Sequence, residues 1–270
     1  MADKILVFVP CYNCAPQVRR VVAQFRGSIA GYVEEILVLD NGSKDGTAEA
    51  AIEAAPGAEV RKVTIGRNQA NYNLGGSHKA AFGYAQEQGF THVITLHGDD
   101  QGDIRDIEPV LARGDHHRFD ACMGARFARG SRLQGYSKFR IFGNHIFNLI
   151  FSAAARRQIT DLGSGLNLMA RAAFADPAIL RLPDDLTFNA FLVLDMIGSG
   201  RKVSFFPISW REEDQVSNVK MASQAVRTIV PPRDYAFTRK RFRTKDYRTV
   251  KHERYAFDVV AAFQDGQRVA

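Results

Sequence analysis

Residues 34–47 read EEILVLDNGSKDGT. Four consecutive aliphatic residues close on an acid and a turn-forming cluster, and Asp45-Gly46-Thr47 then supplies a turn and an N-cap for a helix over about 45–55. A short apolar run followed at once by helix-start chemistry is one strand-to-helix unit of a parallel sheet. The unit recurs. KILVFVP (4–10) precedes a helix near 15–26, EVRKVTI (59–65) one near 76–88, and THVITLH (91–97) one near 104–113; FDACMGARF (119–127) is a fifth strand. This alternation predicts a doubly wound α/β unit.

After residue 128 the pattern changes. GYSKFRIFGNHIFNLIFSAAARR (135–157) places Phe139, Phe142, Ile146, Phe147, Ile150 and Phe151 at helical spacing, which predicts a long amphipathic helix. The turn TDLGSG leads to a strand LNLMA (166–170), a helix near 186–198 and a strand KVSFFPISW (202–210). No internal repeat or linker separates these parts, so residues 1–226 read as one domain with halves 1–103 and 104–226. Residues 227–270 read as a basic tail, helical or partly mobile, with Arg239, Lys240, Arg241, Arg243 and Lys245 interleaved with Phe237, Phe242 and Tyr247.

The 270 residues carry 36 Lys plus Arg against 29 Asp plus Glu, a net charge of +7, which means mild attraction to phosphates or anionic surfaces and no specific partner. Cys11 and Cys14 form one C-x-x-C pair, but with only Cys122 besides them no zinc set is complete; a redox pair and idle thiols in a reducing cytoplasm both remain open. MADKILVFVP does not read as a signal peptide, and no stretch reaches bilayer-spanning length, so a soluble or peripheral protein is expected. G-x-G-x-x-G after the first strand and G-x-x-x-x-G-K are both absent, which argues against nicotinamide chemistry and Walker-type ATP hydrolysis.

In an open parallel sheet the ligand crevice lies beyond the carboxyl ends of the strands, and the polar motifs of this chain fall there. VPCYN, VLDNGSKDGT, NLGGSHKA and HGDDQ, in that order, resemble the motifs of the family 2 glycosyltransferases over roughly residues 4–220. GARFARGSRLQGYSKFR and ITDLGSGLNLMAR are similar to the branch that contains the dolichol- and polyprenyl-phosphate sugar transferases. The resemblance implies a GT-A fold: a doubly wound, mostly parallel sheet with a Rossmann-like nucleotide-binding half and an acceptor half. It implies a UDP- or GDP-sugar donor, with Pro10, Tyr12 and Asn13 around the nucleoside, Asp40 bonding the base, and Asn41, Gly75, Lys79 and Gln101 also at the donor. Asp40 equally suits an Asx-turn into NGSKDG. Asn41 stands where related sequences carry a second acid.

The family's Asp-x-Asp falls here on His97, Gly98 and Asp99, followed by Asp100. By resemblance Asp99 binds a divalent cation, Mg2+ or Mn2+, that neutralises the donor diphosphate, with Asp100 or His97 as helper. Imidazole in the first position shifts preference toward Mn2+. Taken alone, GDDQGD also reads as a charged turn capping the helix at 104.

The Glu-Asp pair that supplies the base in many inverting members is replaced by Phe188-Asn189. A phosphate monoester acceptor is already ionised near neutral pH, so it needs no strong base. By resemblance, Arg126 with Arg132 or Arg140 clamps phosphate, and Asp161 orients or deprotonates the acceptor, unless it is only a turn acid. Glu212, Glu213 and Asp214 are substitute bases or sugar contacts, and Ser217 and Lys220 belong to a loop closing over the diphosphate. A lipid-phosphate or glycan acceptor is expected, with peripheral contact at the cytoplasmic, inner leaflet through helix 135–157 and the basic tail, or a homo-oligomer contact through that tail. A sugar-nucleotide nucleotidyltransferase would show a Gly-rich basic loop where CYNCAPQ stands, and no nucleic-acid-binding motif occurs.

Overall fold

The computed structural model describes residues 3–212 and 231–270. Glu213, Asp214, Ser217 and Lys220 lie outside the described residues. The strands are β1 (Ile5–Cys11), β2 (Glu35–Asp40), β3 (Lys62–Asn68), β4 (His92–Leu96), β5 (Ala121–Ala125), β6 (Arg132–Gln134), β7 (Leu166–Ala170), β8 (Val203–Pro207), β9 (Ser209–Arg211), β10 (Phe257–Gln264) and β11 (Gln267–Arg268). The helices are α1 (Ala15–Ala23), α2 (Thr47–Ala54), α3 (Asn73–Glu87), α4 (Glu108–Ala112), α5 (Lys138–Ala155), α6 (Arg171–Phe174) and α7 (Phe188–Gly198), with a further short helix at Arg239–Thr244.

One sheet runs in the order β11-β10-β3-β2-β1-β4-β7-β5-β8, and β6 pairs with β9 apart from it. The expected parallel unit is present in β3-β2-β1-β4, while β7 and β10 run antiparallel to their neighbours, so the whole sheet is mixed. Period-two alternation sends Ile5, Val7 and Val9 to one face, under α1 and α2, and Leu6 and Phe8 to the other, under α3 and α7. Both faces are covered, which is why these strands read as near-continuous apolar runs. α7 is buried along nearly its whole length, and its sequence is accordingly apolar apart from Asn189 and Asp195.

Three expectations shift. β3 starts at Lys62, because Glu59 donates its amide to Phe25 O at 2.9 Å and stays outside the ladder. The run 202–210 divides at Ile208 into β8, in the main sheet, and β9, on β6. The described C-terminal part is built into the fold: Phe242 stacks on Phe191 at 5.5 Å, Arg243 pairs with Asp195 and Asp176, and β10 extends the sheet beside β3.

The register of β7 matters most for function. Leu166 opposes Leu96, so the turn 160–165 arrives at the same edge where β4 ends, beside the end of β5. The carboxyl ends of β1, β2, β4 and β5 and the amino end of β7 therefore line one rim.

Candidate donor and acceptor site

The rim begins with two loops laced together. Asn13, in the left-handed region at φ 50°, donates its amide to Ser43 Oγ (2.9 Å) and accepts from Lys44 N (3.0 Å). Asp45 and Thr47 of the KDGT turn accept from Ala15 N and Cys14 N, so the start of α2 caps the start of α1. Tyr12 projects, half exposed, from this pair of loops.

Asp40 is buried, and its Oδ1 accepts from Ser43 N at 2.9 Å, the expected Asx-turn; its Oδ2 meets Arg67 Nε at 3.2 Å. Asn41 accepts from Asn68 Nδ2 and Tyr72 N and donates to Asn71 Oδ1, each at 2.9 Å. An amide can do both; a carboxylate could not make the donated bond, which accounts for asparagine where related sequences carry an acid.

At the end of β4, Gly98 passes so close to β1 that an added Cβ would lie 2.4 Å from Cys11 Sγ and 3.0 Å from Pro10 O. Its amide bonds that same Pro10 carbonyl at 3.1 Å. The hydrogen bond to Cys14, and then burial, hold the Cys11 thiol well above its ordinary pKa, so this pair is poorly suited to thiolate chemistry. Asp99 follows, with Gln101 N on its Oδ1 at 3.2 Å. Burial pushes the Asp99 carboxyl up to about 6, against the Gln101 amide bond and with help from the Asp100 charge.

His97 lies under Gly165, where a Cβ would sit 2.8 Å from its Cγ. Burial, and then the charge of Arg126, lower the imidazole to about 4, so it is neutral at physiological pH. Its Nε2 is buried without a hydrogen-bond partner among the described residues. The motif thus offers a partnerless neutral imidazole nitrogen and, two residues on, a carboxyl that burial disfavours as an anion, donor types that suit a divalent cation of intermediate softness.

Asp100 does not join them. Its left-handed backbone (φ 60°) turns it inward, where Oδ2 accepts from Arg20 Nε at 2.6 Å and Oδ1 from Gln24 and Arg211. With both oxygens accepting hydrogen bonds, it locks the loop to α1 and β9. Lys79 and Gly75 both meet the segment 182–188. Lys79 Nζ is buried against Asp184 Oδ1 and Leu182 O, both at 2.6 Å, and burial lowers its pKa while Asp184 opposes that shift. Gly75 is required by packing, since a Cβ would stand 2.4 Å from Pro183 O.

Across the rim, Arg126 and Asp161 form a buried, two-pronged ion pair, with Nε–Oδ2 2.8 Å and Nη2–Oδ1 2.7 Å. Arg126 N and Gly163 N also donate to the same carboxylate. Burial opposes the guanidinium charge, but the Asp161 charge and its hydrogen bonds outweigh that and raise the pKa. Asp161 thus holds Arg126, with both of its oxygens accepting hydrogen bonds. Tyr136 OH accepts from Arg126 Nη1 (3.2 Å) and Asn144 Nδ2 (3.1 Å), while Arg140 lies 4.9 Å over its ring and pairs with both Glu212 oxygens. Of the five guanidinium N–H groups of Arg126, three are engaged by described residues, leaving one on each Nη nitrogen. Arg132 stands elsewhere, lining a cavity of about 550 Å3 with Asp103, Arg105, Asp106 and Arg113.

Tyr136 was not singled out from the sequence, although it sits in the quoted GYSKFR; its ring between two arginines is a contact no spacing rule marks. Asp184 was missed too, since its partner Lys79 is 105 positions away.

Residues 6–186 match the sequence profile of glycosyl transferase family 2. The chain belongs to this family. It is 25% identical over 212 residues to Glycosyltransferase AglJ of Haloferax volcanii, a match covering 77% of this chain and 63% of that one. It is 30% identical over 198 residues to the undecaprenyl-phosphate 4-deoxy-4-formamido-L-arabinose transferase of Salmonella paratyphi A, covering 70% and 55%. The chain thus spans about 55–63% of the length of these family 2 relatives. Its fold is similar to that of Mycobacterium tuberculosis glucosyl-3-phosphoglycerate synthase, solved with Mn2+, UDP and phosphoglyceric acid (TM-score 0.62, 15% identity, 87% of this chain and 79% of that one). At that identity the likeness is one of fold, and the fold is GT-A.

Proposed function

We propose that this family 2 chain transfers a sugar, with inversion, from a nucleoside-diphosphate sugar to a lipid phosphate of polyprenyl type. The observation that carries the acceptor assignment is α5. Phe139, Phe142 and Leu149 are 75%, 64% and 70% exposed, so this face, continued by Ile146 and Ile150, has no partner within the described chain. The stripe starts at the end of α5 that carries Arg140, which shares the Tyr136 ring with Arg126, placing an apolar track beside two arginines that are each held by a carboxylate. A phosphorylated isoprenoid matches both chemistries at once, and the helix would lie in the headgroup boundary of a leaflet. Among the described residues no helix is long and apolar enough to cross a membrane.

Tyr12, Asn13 and Asp40 border the nucleoside position, and Pro10 and Gln101 help shape the donor rim. Asp99, with His97, would hold a divalent cation, which would neutralise the diphosphate leaving group. The two Arg126 N–H groups that no described residue engages, with Arg140, would orient the acceptor phosphate oxygen toward the anomeric carbon. Asp161 and Glu212 keep the two guanidinium groups in place. An already ionised acceptor leaves no proton to abstract, in keeping with an apolar Phe188 at the family's base position.

The test uses UDP- and GDP-sugars with Mn2+, and offers either polyprenyl phosphate in anionic vesicles or phosphoglycerate in solution. Transfer to the lipid is expected, with both vesicle sedimentation and transfer reduced about tenfold or more in the Phe142→Glu/Leu149→Glu variant. Transfer to the soluble acceptor alone, indifferent to that variant, would overturn the acceptor assignment; no transfer from any sugar nucleotide would overturn the reaction class.

A further inference from the structure

The amino-terminal edge of the sheet, opposite the donor rim, carries a second constellation. Asp3 leads into β1, His92 opens β4, and His116 and His117 lie on the turn before β5. Non-adjacent stretches of chain converge there because β1 and β4 are hydrogen-bonded neighbours and β5 lies beyond them with only β7 between. His116 Nε2 is 3.0 Å and His117 Nε2 3.2 Å from the same oxygen, Asp3 Oδ2. All three ligand atoms lie within 4.8 Å of one another. Four-coordinate zinc with bonds near 2.0–2.1 Å separates neighbouring ligand atoms by about 3.3 Å, so these spacings need little adjustment.

We infer that Asp3, His116 and His117 form a second metal site, for a divalent cation of the zinc, cobalt or nickel type. Two imidazoles and one carboxylate favour those ions over Mg2+ and Mn2+. His92 supports the site from behind: its Nε2 lies 3.3 Å from the His116 carbonyl, and its ring packs edge-on to His116 at 5.1 Å. His116 is buried and His117 exposed, so the site is anchored on one side and leaves a coordination position toward water on the other. From His92 to His97 the strand rises five residues, about 16 Å, which separates this site from the donor rim. Bound metal would tie the lead-in of β1 to the turn before β5, bracing an edge that otherwise depends on hydrogen bonds between an acid and two imidazoles.

The experiment takes the full chain without added histidines, in excess Mn2+ to occupy the donor rim, and titrates Zn2+ by calorimetry and Co2+ by visible absorption. One equivalent should bind with a tetrahedral or five-coordinate Co2+ spectrum, and Zn2+ should raise the melting temperature. His117→Ala, an exposed change that leaves the core alone, should weaken binding about tenfold or more. Asp99→Asn should leave both the binding and the spectrum intact. Absence of stoichiometric binding, or binding lost in Asp99→Asn and retained in His117→Ala, would overturn the inference; the first result would leave the cluster as a hydrogen-bonded clasp.

Discussion

Replacing Asp161 with Asn separates the role of an ion-pair holder from that of a catalytic base. The side chain keeps its shape, but the carboxylate that accepts from Arg126 N, Nε and Nη2 and from Gly163 N is gone. One end of the new amide presents N–H groups to guanidinium N–H groups. Arg126 is only 9% exposed, so water cannot solvate the uncompensated charge. Breaking a buried pair from one side costs about 3–5 kcal/mol. Urea unfolding followed by circular dichroism should show the midpoint fall with an unchanged slope, since the surface exposed on unfolding is the same. The double variant Arg126→Met/Asp161→Leu should recover much of the loss, because it removes the stranded charge. Turnover should fall in both, through loss of the guanidinium or of its orientation. Wild-type stability in Asp161→Asn, together with loss of the acidic, low-pH limb of the pH–rate profile, would refute this account and make Asp161 a proton acceptor.

Two further outcomes follow from the geometry. His78 is buried among Phe8, Phe82 and Phe188, and burial lowers its imidazole to about 3. The unfolded chain therefore takes up this proton first, at its ordinary pKa of 6.5, and folding loses about 1.4 kcal/mol per pH unit from that site as pH drops from 6.5 toward 3. His78→Leu should flatten the stability-versus-pH curve by that slope in that window, and parallel curves for the two proteins would contradict it. Gly98→Ala should cost about 1–3 kcal/mol and shift Asp99, because its methyl would meet Cys11 Sγ at 2.4 Å; Mn2+ affinity at the donor rim, read by electron paramagnetic resonance, should weaken, and an unaltered affinity would mean that the close approach of β1 and β4 does not position Asp99.

Much of the α/β alternation was legible because it is local. Strand alternation, the KDGT turn and the glycine after His97 each act within a few residues, and β1, β2 and β4 fall close to where the apolar runs placed them. β10 was read as tail because FDVVAAFQ lies next to the sheet edge, covered there only by the two-residue β11, which leaves Val259 half exposed, and because the basic segment before it dominates the composition. Asp100 and Lys79 were assigned to the donor because their motifs surround it. The direction a side chain takes from a motif depends on one backbone dihedral and on partners far away in sequence.

By itself, the sequence determined the two-faced sheet and the rim at which polar residues gather, since both follow from periodicity and short-range turn chemistry, while the ordered motifs carried the resemblance to the family. Only the tertiary structure decided which carboxylates remain for a ligand. Asp100 meets Arg211 across 111 positions, Lys79 meets Asp184 across 105 and Arg126 meets Asp161 across 35. A buried charge must find an opposite charge or a hydrogen bond, and the pairing available to it is set by where the folded chain brings distant segments together.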